Sequence, residues 1–184
     1  MQEPVVGYVE RGGSGFELAD DFLAAAVAEE ERRDGIALVA SGDRDAFQLA
    51  SASTTILHPV KAGELARIGP AGVLERYGVE PRQVPDFIAL RGDPSDKIPG
   101  ARGVGPKGAA TLLRQYGTLE QAIAEGRFVE QADELALYKK LATMEATAPL
   151  PPLDDQAPTW GRAAALARNW ELARLADRLD ELAG

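Results

Sequence analysis

At 184 residues, 45% apolar, the chain is long enough for one substantial core, and its formal charge of −9 gives it no general basic excess for binding polyanions. Zero cysteines and one histidine, His58, exclude disulfides, thiolate zinc sites, cysteine nucleophiles and a histidine-rich metal centre, so any metal must be held by oxygen ligands. No run of about 18 uncharged apolar residues exists, and the N-terminus lacks the basic-then-apolar layout of a secretory signal, which points to a cytoplasmic protein.

In chain order, the glycine-rich first fifteen residues carry no sustained period and are expected to form a loose arm, with a short strand at Val5 to Val9. Apolar positions at helical spacing predict a helix from Phe16 to about Arg33, stopped by Gly35. The continuous apolar run from Ile36 to Ser41 predicts a strand buried on both faces, and TTILHP, ending at Pro59, predicts a second. Together they suggest a small, partly parallel sheet. From Pro70 onward the pattern is helical: Pro70 to Tyr77 closed by Gly78, about Arg82 to Leu90, a glycine-rich turn leading into a helix, and TLEQAIAEG, which Thr118 caps with Gln121 three residues on. A longer helix is expected from about Glu130 to Met144. The proline-rich stretch ATAPLPPLDDQAPTW reads as a linker, followed by helices near Arg162 to Arg168 and Trp170 to Leu182. Trp160 and Trp170, with Leu166 and Leu175, are expected to anchor those last helices on the body. The fold class is therefore α/β followed by mostly α. It divides into residues 1–69, an α/β metal-binding part; 70–146, a helical subdomain; and 147–184, a linker with helices packing back on the body.

Three acidic clusters carry the chemical argument: ELADD at Glu17 to Asp21, GDRD at Gly42 to Asp45, and GDPSD at Gly92 to Asp96. Asp43 and Asp45 directly follow a strand, and the carboxyl ends of strands line the ligand crevice in open α/β sheets. Asp20 and Asp21 begin the helix leading into that strand, while Asp93 and Asp96 flank Pro94 in a tight turn. Magnesium prefers a few carboxylates plus waters, and two such ions about 4 Å apart suit in-line attack on a phosphodiester. Aspartates also start helices and make turns for structural reasons alone, so the weight rests on the three clusters together. They outweigh the net charge, because carboxylates that bind cations are neutralised in the working protein and a local basic strip can bind DNA.

The segment IPGARGVGPKGAATLL places Gly103 and Gly105 before Pro106 at a helix start, with Lys107 in its first turn. Such a turn presents backbone N–H groups and the positive end of a helix dipole to a phosphate. Arg102, Lys107 and Arg114 add positive charge nearby.

The string LRGDPSDKIPGARGVGPKGAATLLRQYGTLEQAI strongly resembles the helix-hairpin-helix segment of the bacterial 5′–3′ exonuclease and flap endonuclease family. VASGDRDAFQLAS and FELADDFLAAAV resemble that family in order and spacing. The resemblance covers roughly Phe16 to Met144. It implies a partial PIN-like nuclease domain with a helix-three-turn-helix element, acting on the 5′ ends of duplex or flap DNA and on RNA–DNA hybrids, in replication and repair. It implies two Mg2+ or Mn2+ ions held by Asp20, Asp21, Asp43, Asp45, Asp93 and Asp96 with Glu17. Of these, Asp43, Asp45, Asp93 and Asp96 would be catalytic. Arg102, Gly103, Gly105, Lys107 and Arg114 would bind DNA, with K+ at the turn.

Two departures qualify the resemblance. Family members read Glu-x-Asp-Asp at the first cluster, whereas here Glu17 stands one residue out of register; on a helix it still shares a face with Asp20 and Asp21. The family also carries a preceding part with its first strand, further aspartates and a basic arch. Relative to it this sequence is N-terminally truncated, so an exposed sheet edge near Ile36 to Ala40 is expected, and a DNA polymerase or another chain is an expected partner. A duplex-binding module without catalysis is the rival to a metal-dependent nuclease. His58, before a proline at a strand end, reads as structural.

Overall fold

The computed structural model describes residues 19–153 and 157–184, so Glu17 and the expected strand at Val5 to Val9 lie outside the described residues. Helix α1, Ala19–Arg32, has Asp20 and Asp21 in its first turn and Arg32 in its last, each sign opposing the helix dipole there. It buries Ala24, Ala25 and Val27. Its end is closed by Asp34 in the left-handed region, φ 59°, and by a 2.9 Å bond from the Gly35 N–H to the Glu30 carbonyl.

Strand β1, Ala37–Ala40, pairs in parallel with β2, Thr54–Pro59, which pairs antiparallel with β3, Leu65–Ile68. The sequence pattern did not indicate β3. LARI is short and only one of its residues is buried, but the turn after Val60, whose N–H reaches the Glu64 carbonyl at 2.9 Å, folds it back onto β2. Burial along β1 alternates, which corrects the expectation of a strand covered on both faces. Val39 is buried beside Ile56 and Phe47, whereas Leu38 is 41% exposed and the preceding Ile36 77% exposed. Among the described residues β1 is an edge of the sheet. The two ends of the unit are tied by Glu31, whose Oε1 accepts from the buried Thr54 hydroxyl at 2.6 Å and from the Ser51 hydroxyl.

The helices follow as α2, Pro70–Tyr77; α3, Val84–Arg91; α4, Pro106–Tyr116; α5, Leu119–Ala124; and α6, Ala132–Ala142. Pro70 and Gly78 bound α2 as the sequence predicts, with Gly78 at φ 71°. Thr118 caps α5 by accepting from the Gln121 N–H at 3.2 Å, but the Gln121 amide turns away to Glu125, so the capping box is half made. Helix α3 is the centre of the body: every residue from Val84 to Leu90 is buried. One core cluster gathers Val39, Phe47, Ile56 and Ile68 with Val73, Val84 and Ile88; a second gathers Phe87 and Leu90 with Leu113, Leu119 and Leu135. The α/β part and the helices up to Pro151 form one compact unit.

A second unit, beginning at Pro152, holds α7, Trp160–Asn169, and α8, Ala173–Ala183. These helices bury small residues, Ala164, Ala167 and Ala176. Trp170 is 70% exposed, and alanines rather than large side chains fill the contact between the two helices.

Inside α3 one charge is buried. Asp86 Oδ1 accepts from the Leu119 N–H at 2.9 Å, at the positive end of α5, and from Lys139 Nζ of α6 at 2.8 Å. Lys139 also bridges to Glu120. Burial works against the Lys139 charge, but its bonds to Asp86 and Glu120 outweigh that and raise its pKa. One carboxylate thus fastens three helices. Asp86→Ala, which strands the Leu119 N–H and half of the Lys139 pairing, is expected to cost about 3 to 5 kcal/mol, read by urea denaturation. A loss below about 1 kcal/mol would show that the network contributes little.

Candidate metal centre and its flanking turn

The site begins where α3 ends. A Cβ at Gly92, φ 81°, would lie 2.7 Å from the Pro99 carbonyl oxygen, and one at Gly100, φ 80°, would lie 2.5 Å from the Gly92 nitrogen. Only glycine fits either position. The backbones therefore touch, and the loop between them is closed by a reciprocal pair: Asp93 N–H to the Ile98 carbonyl and Ile98 N–H to the Asp93 carbonyl, both at 2.8 Å. Within this ring Asp93 Oδ1 accepts from the Ser95 N–H at 3.0 Å and the Ser95 hydroxyl at 2.5 Å, and Oδ2 accepts from Arg91 Nη2 at 2.9 Å. Burial alone would raise the Asp93 pKa. The Ser95 bonds and the Arg91 and Arg44 charges outweigh it and hold the pKa below the ordinary carboxylate value.

The second loop follows β1. Ser41 continues the ladder with its N–H to the Leu57 carbonyl at 3.2 Å, and its hydroxyl accepts from the Asp43 N–H at 3.0 Å. Asp43 Oδ1 then accepts from the Asp45 N–H at 3.2 Å, where a 3-10 turn, Asp45–Leu49, starts; buried Ala46 and Phe47 pin that turn to the core. Asp45 is half-buried, and its Oδ1 is buried with no hydrogen-bond partner among the described residues. An orphaned buried carboxylate oxygen is costly unless a cation completes it.

One oxygen each from Asp45, Asp93 and Asp96 lies within 4.8 Å of the others. The carboxylates repel one another. Burial, then Asp43, Asp96, Asp93 and Asp20, push the Asp45 pKa from an ordinary 3.8 to about 7. Asp96 is raised by burial, Asp43 and Asp93, and Asp20 by burial, Asp43, Asp21 and Asp96. Of the α1 pair, Asp20 thus shares the field of the cluster, while Asp21 turns an oxygen to the Glu145 N–H at 2.8 Å, after α6. Asp43 also lies in that field but holds the 3-10 turn with one oxygen. Such a set of mutually repelling oxygen donors fits a hard divalent cation.

On the far side of Gly100 the chain turns into α4. Gly103 has φ 75° and open space where a Cβ would go, so the backbone conformation demands glycine there. Gly105, at φ −94° and ψ −178°, is in extended backbone that any residue adopts, and its flank is equally open. The Arg102 N–H donates to Gln131 Oε1 at 3.1 Å, which pins the turn to the segment before α6. The Arg102 and Lys107 side chains are exposed beside the first-turn N–H groups of α4. Arg114 stands apart, two turns along on the same helix face, roughly 10 Å away along the axis by helix rise. Sequence reasoning passed over Arg91 and Ser95, both bonded to Asp93; the signal available was their adjacency to the GDPSD motif.

Residues 79–162 match the family described as 5′-3′ exonuclease, C-terminal SAM fold. DNA polymerase I of Mycobacterium tuberculosis is 50% identical over 110 residues, covering 59% of this chain and 12% of that protein. The thermostable DNA polymerase I of Thermus thermophilus is 37% identical over 155 residues, covering 79% of this chain and 18% of that protein. The chain thus spans less than a fifth of the length of these relatives. Among solved structures, the 5′-exonuclease of bacteriophage T5 with bound zinc superposes with a TM-score of 0.59 at 18% identity, over 90% of this chain and 60% of that one. The T5 flap endonuclease in a complex with DNA and metal ions gives the same TM-score and identity over 59% of its length. The matched family thus lies over the acid loop, the glycine turn and the helices that follow, and the fold of the T5 5′-exonuclease is shared over 90% of this chain.

Proposed function

We propose that this chain is the carboxylate-bearing and DNA-clamping portion of a 5′–3′ exonuclease or flap endonuclease, a hydrolase of DNA phosphodiesters that works with Mg2+ or Mn2+. The observation that carries this reading is the convergence of Asp45 with Asp93 and Asp96, from two separate loops, in a cluster where one buried Asp45 oxygen has no partner among the described residues. Asp45, Asp93 and Asp96 would hold one ion, with Asp20, Asp21 and Asp43 toward a second; bound ions would activate water and stabilise the leaving oxygen. Residues of the chain itself keep the ligand oxygens in place: Ser95 and Arg91 orient Asp93, and Asp43 fixes the turn that carries Asp45.

The turn from Arg102 to Lys107 would receive the phosphate backbone, with K+ as a bridging ion at the exposed glycines and with Arg114 further along the same helix face. Contacts of that kind read backbone and shape, so sequence preference is not expected. Duplex or flap DNA, or an RNA–DNA hybrid, would be the substrate, in a cytoplasmic setting alongside a DNA polymerase. A second reading is a duplex-binding module without catalysis, which draws on the turn from Arg102 to Lys107, where both of those side chains are exposed.

Cleavage of a 5′-labelled flap with Mg2+, with Mn2+ and with EDTA separates the two. Metal-dependent release of short 5′ products supports the nuclease; duplex binding without cutting supports the clamp. Asp93→Ala is expected to abolish cutting while sparing most DNA binding, and full activity in that variant would sink the assignment. Lys107→Ala should weaken binding to all sequences alike and lower the slope of log affinity against log salt by about one phosphate contact, measured by fluorescence anisotropy. An unchanged slope would remove Lys107 from the interface.

The Asp45 carboxyl predicts a pH dependence of known sign. Its folded pKa lies above its unfolded value, so between about 3.8 and about 7 the folded state binds a proton that the unfolded chain releases. Stability contributed by this group therefore falls as pH rises through that window. In EDTA the melting temperature of Asp45→Asn should decline less from pH 5 to 8 than that of the parent chain, and Mg2+ should raise the parent at pH 8 more than the variant. Parallel melting profiles would show that Asp45 is not the strained group.

A further inference from the structure

Arg91 lies outside the acid clusters, yet it is bonded to one of their members, Asp93. Its side chain is 14% exposed and that of Asp93 6%. Nε donates to the Gly92 carbonyl at 2.9 Å and Nη2 to Asp93 Oδ2 at 2.9 Å. The guanidinium carbon also lies 5.4 Å from the Phe87 ring centre and 5.9 Å from that of Tyr77. Those rings are stacked, 5.0 Å apart at 21°, and continue through Phe47, 5.6 Å from Tyr77, to His58, 5.1 Å further. His58 Nδ1 lies 3.2 Å from the carbonyl of Ser41, the residue that positions Asp43.

A column of four rings therefore runs from the end of β1 to the end of α3. It joins the two loops that carry the cluster, and Arg91 terminates it. A guanidinium held by ring faces on one side and by a carbonyl on the other has little freedom, so its remaining N–H direction is fixed. Asp93 Oδ1 is occupied by two Ser95 donors. With Arg91 on Oδ2, the carboxylate cannot rotate to turn both oxygens to one ion. We propose that Arg91 is a positioning residue of the metal centre: braced by Tyr77 and Phe87, it holds Asp93 in a one-oxygen orientation toward the point shared with Asp45 and Asp96.

This proposal rests on the metal reading above. A lysine at this position could keep the charge but could not make both bonds while lying over the rings. Removal of a residue that orients a metal ligand costs on the order of 10- to 100-fold in metal affinity or activity.

The test is Mn2+ binding to the full chain without DNA, followed by the electron paramagnetic resonance of free Mn2+, for the parent, Arg91→Met and Arg91→Lys, with a melting curve for each. The expected result is Mn2+ binding by the parent, affinity about 10-fold or more weaker in Arg91→Met, and a smaller loss in Arg91→Lys. Parent-like affinity in a folded Arg91→Met would overturn the positioning role and leave the metal site standing. If Arg91→Met does not fold, Arg91→Lys decides, and parent-like affinity there overturns the role. A parent chain that binds no Mn2+ removes the metal reading and this proposal together.

Discussion

The close approach of Gly92 and Gly100 is the constraint on which the rest of the site depends. Two backbones can touch there because neither residue has a Cβ, and the contact seals a loop at the end of the most deeply buried helix of the body. One side of the seal presents Asp93 and Asp96. From the other side Ala101 donates its N–H to the Leu90 carbonyl at 2.9 Å and starts the turn into α4. Acid loop and glycine turn are thus two outlets of a single rigid junction.

Rigidity matters because the carboxylates oppose one another. Like charges brought within a few ångströms move apart unless the backbone prevents it, and here the backbone does so from two directions. The 3-10 turn after β1 is held by Phe47 in the core, and the α3 loop by its reciprocal Asp93 and Ile98 pair. Burial first, and then the neighbouring carboxylates, raise the pKa values of Asp20, Asp45 and Asp96. Asp93 departs from this pattern because Ser95 and Arg91 stabilise its charge. A cluster in which a buried Asp45 oxygen has no partner among the described residues is better suited to receiving a cation than to serving as a structural network, where every member would be paired.

Negative overall charge and a role at a polyanion are compatible in this arrangement. Asp45, Asp93 and Asp96 converge on one locus that a cation would neutralise, while Arg102 and Lys107 are exposed around the start of α4. A second buried acid, Asp86, shows the contrasting use of the same residue type: paired with Lys139 and a helix start, it fastens α3, α5 and α6.

The sequence alone determined the helices bounded by proline and glycine, the small, partly parallel sheet whose first strand leads into GDRD, and the acid clusters as a set, because these depend on local conformational preference and on spacing. It could not reveal β3, whose residues lack strand character and are held by a turn, nor the burial of β1, which depends on what covers each face. Equivalent-looking aspartates also took different places. Asp20 entered the field of the cluster and Asp21 turned to the Glu145 N–H, although they are adjacent on one helix. The distinction between Asp45 with an orphaned oxygen and Asp93 with every donor supplied, and the bracing of Arg91 by Tyr77 and Phe87, exist only once segments distant in the chain are packed together. Tertiary structure decided them because hydrogen bonding, burial and charge repulsion act through space over a few ångströms, a distance that spacing along the chain does not encode.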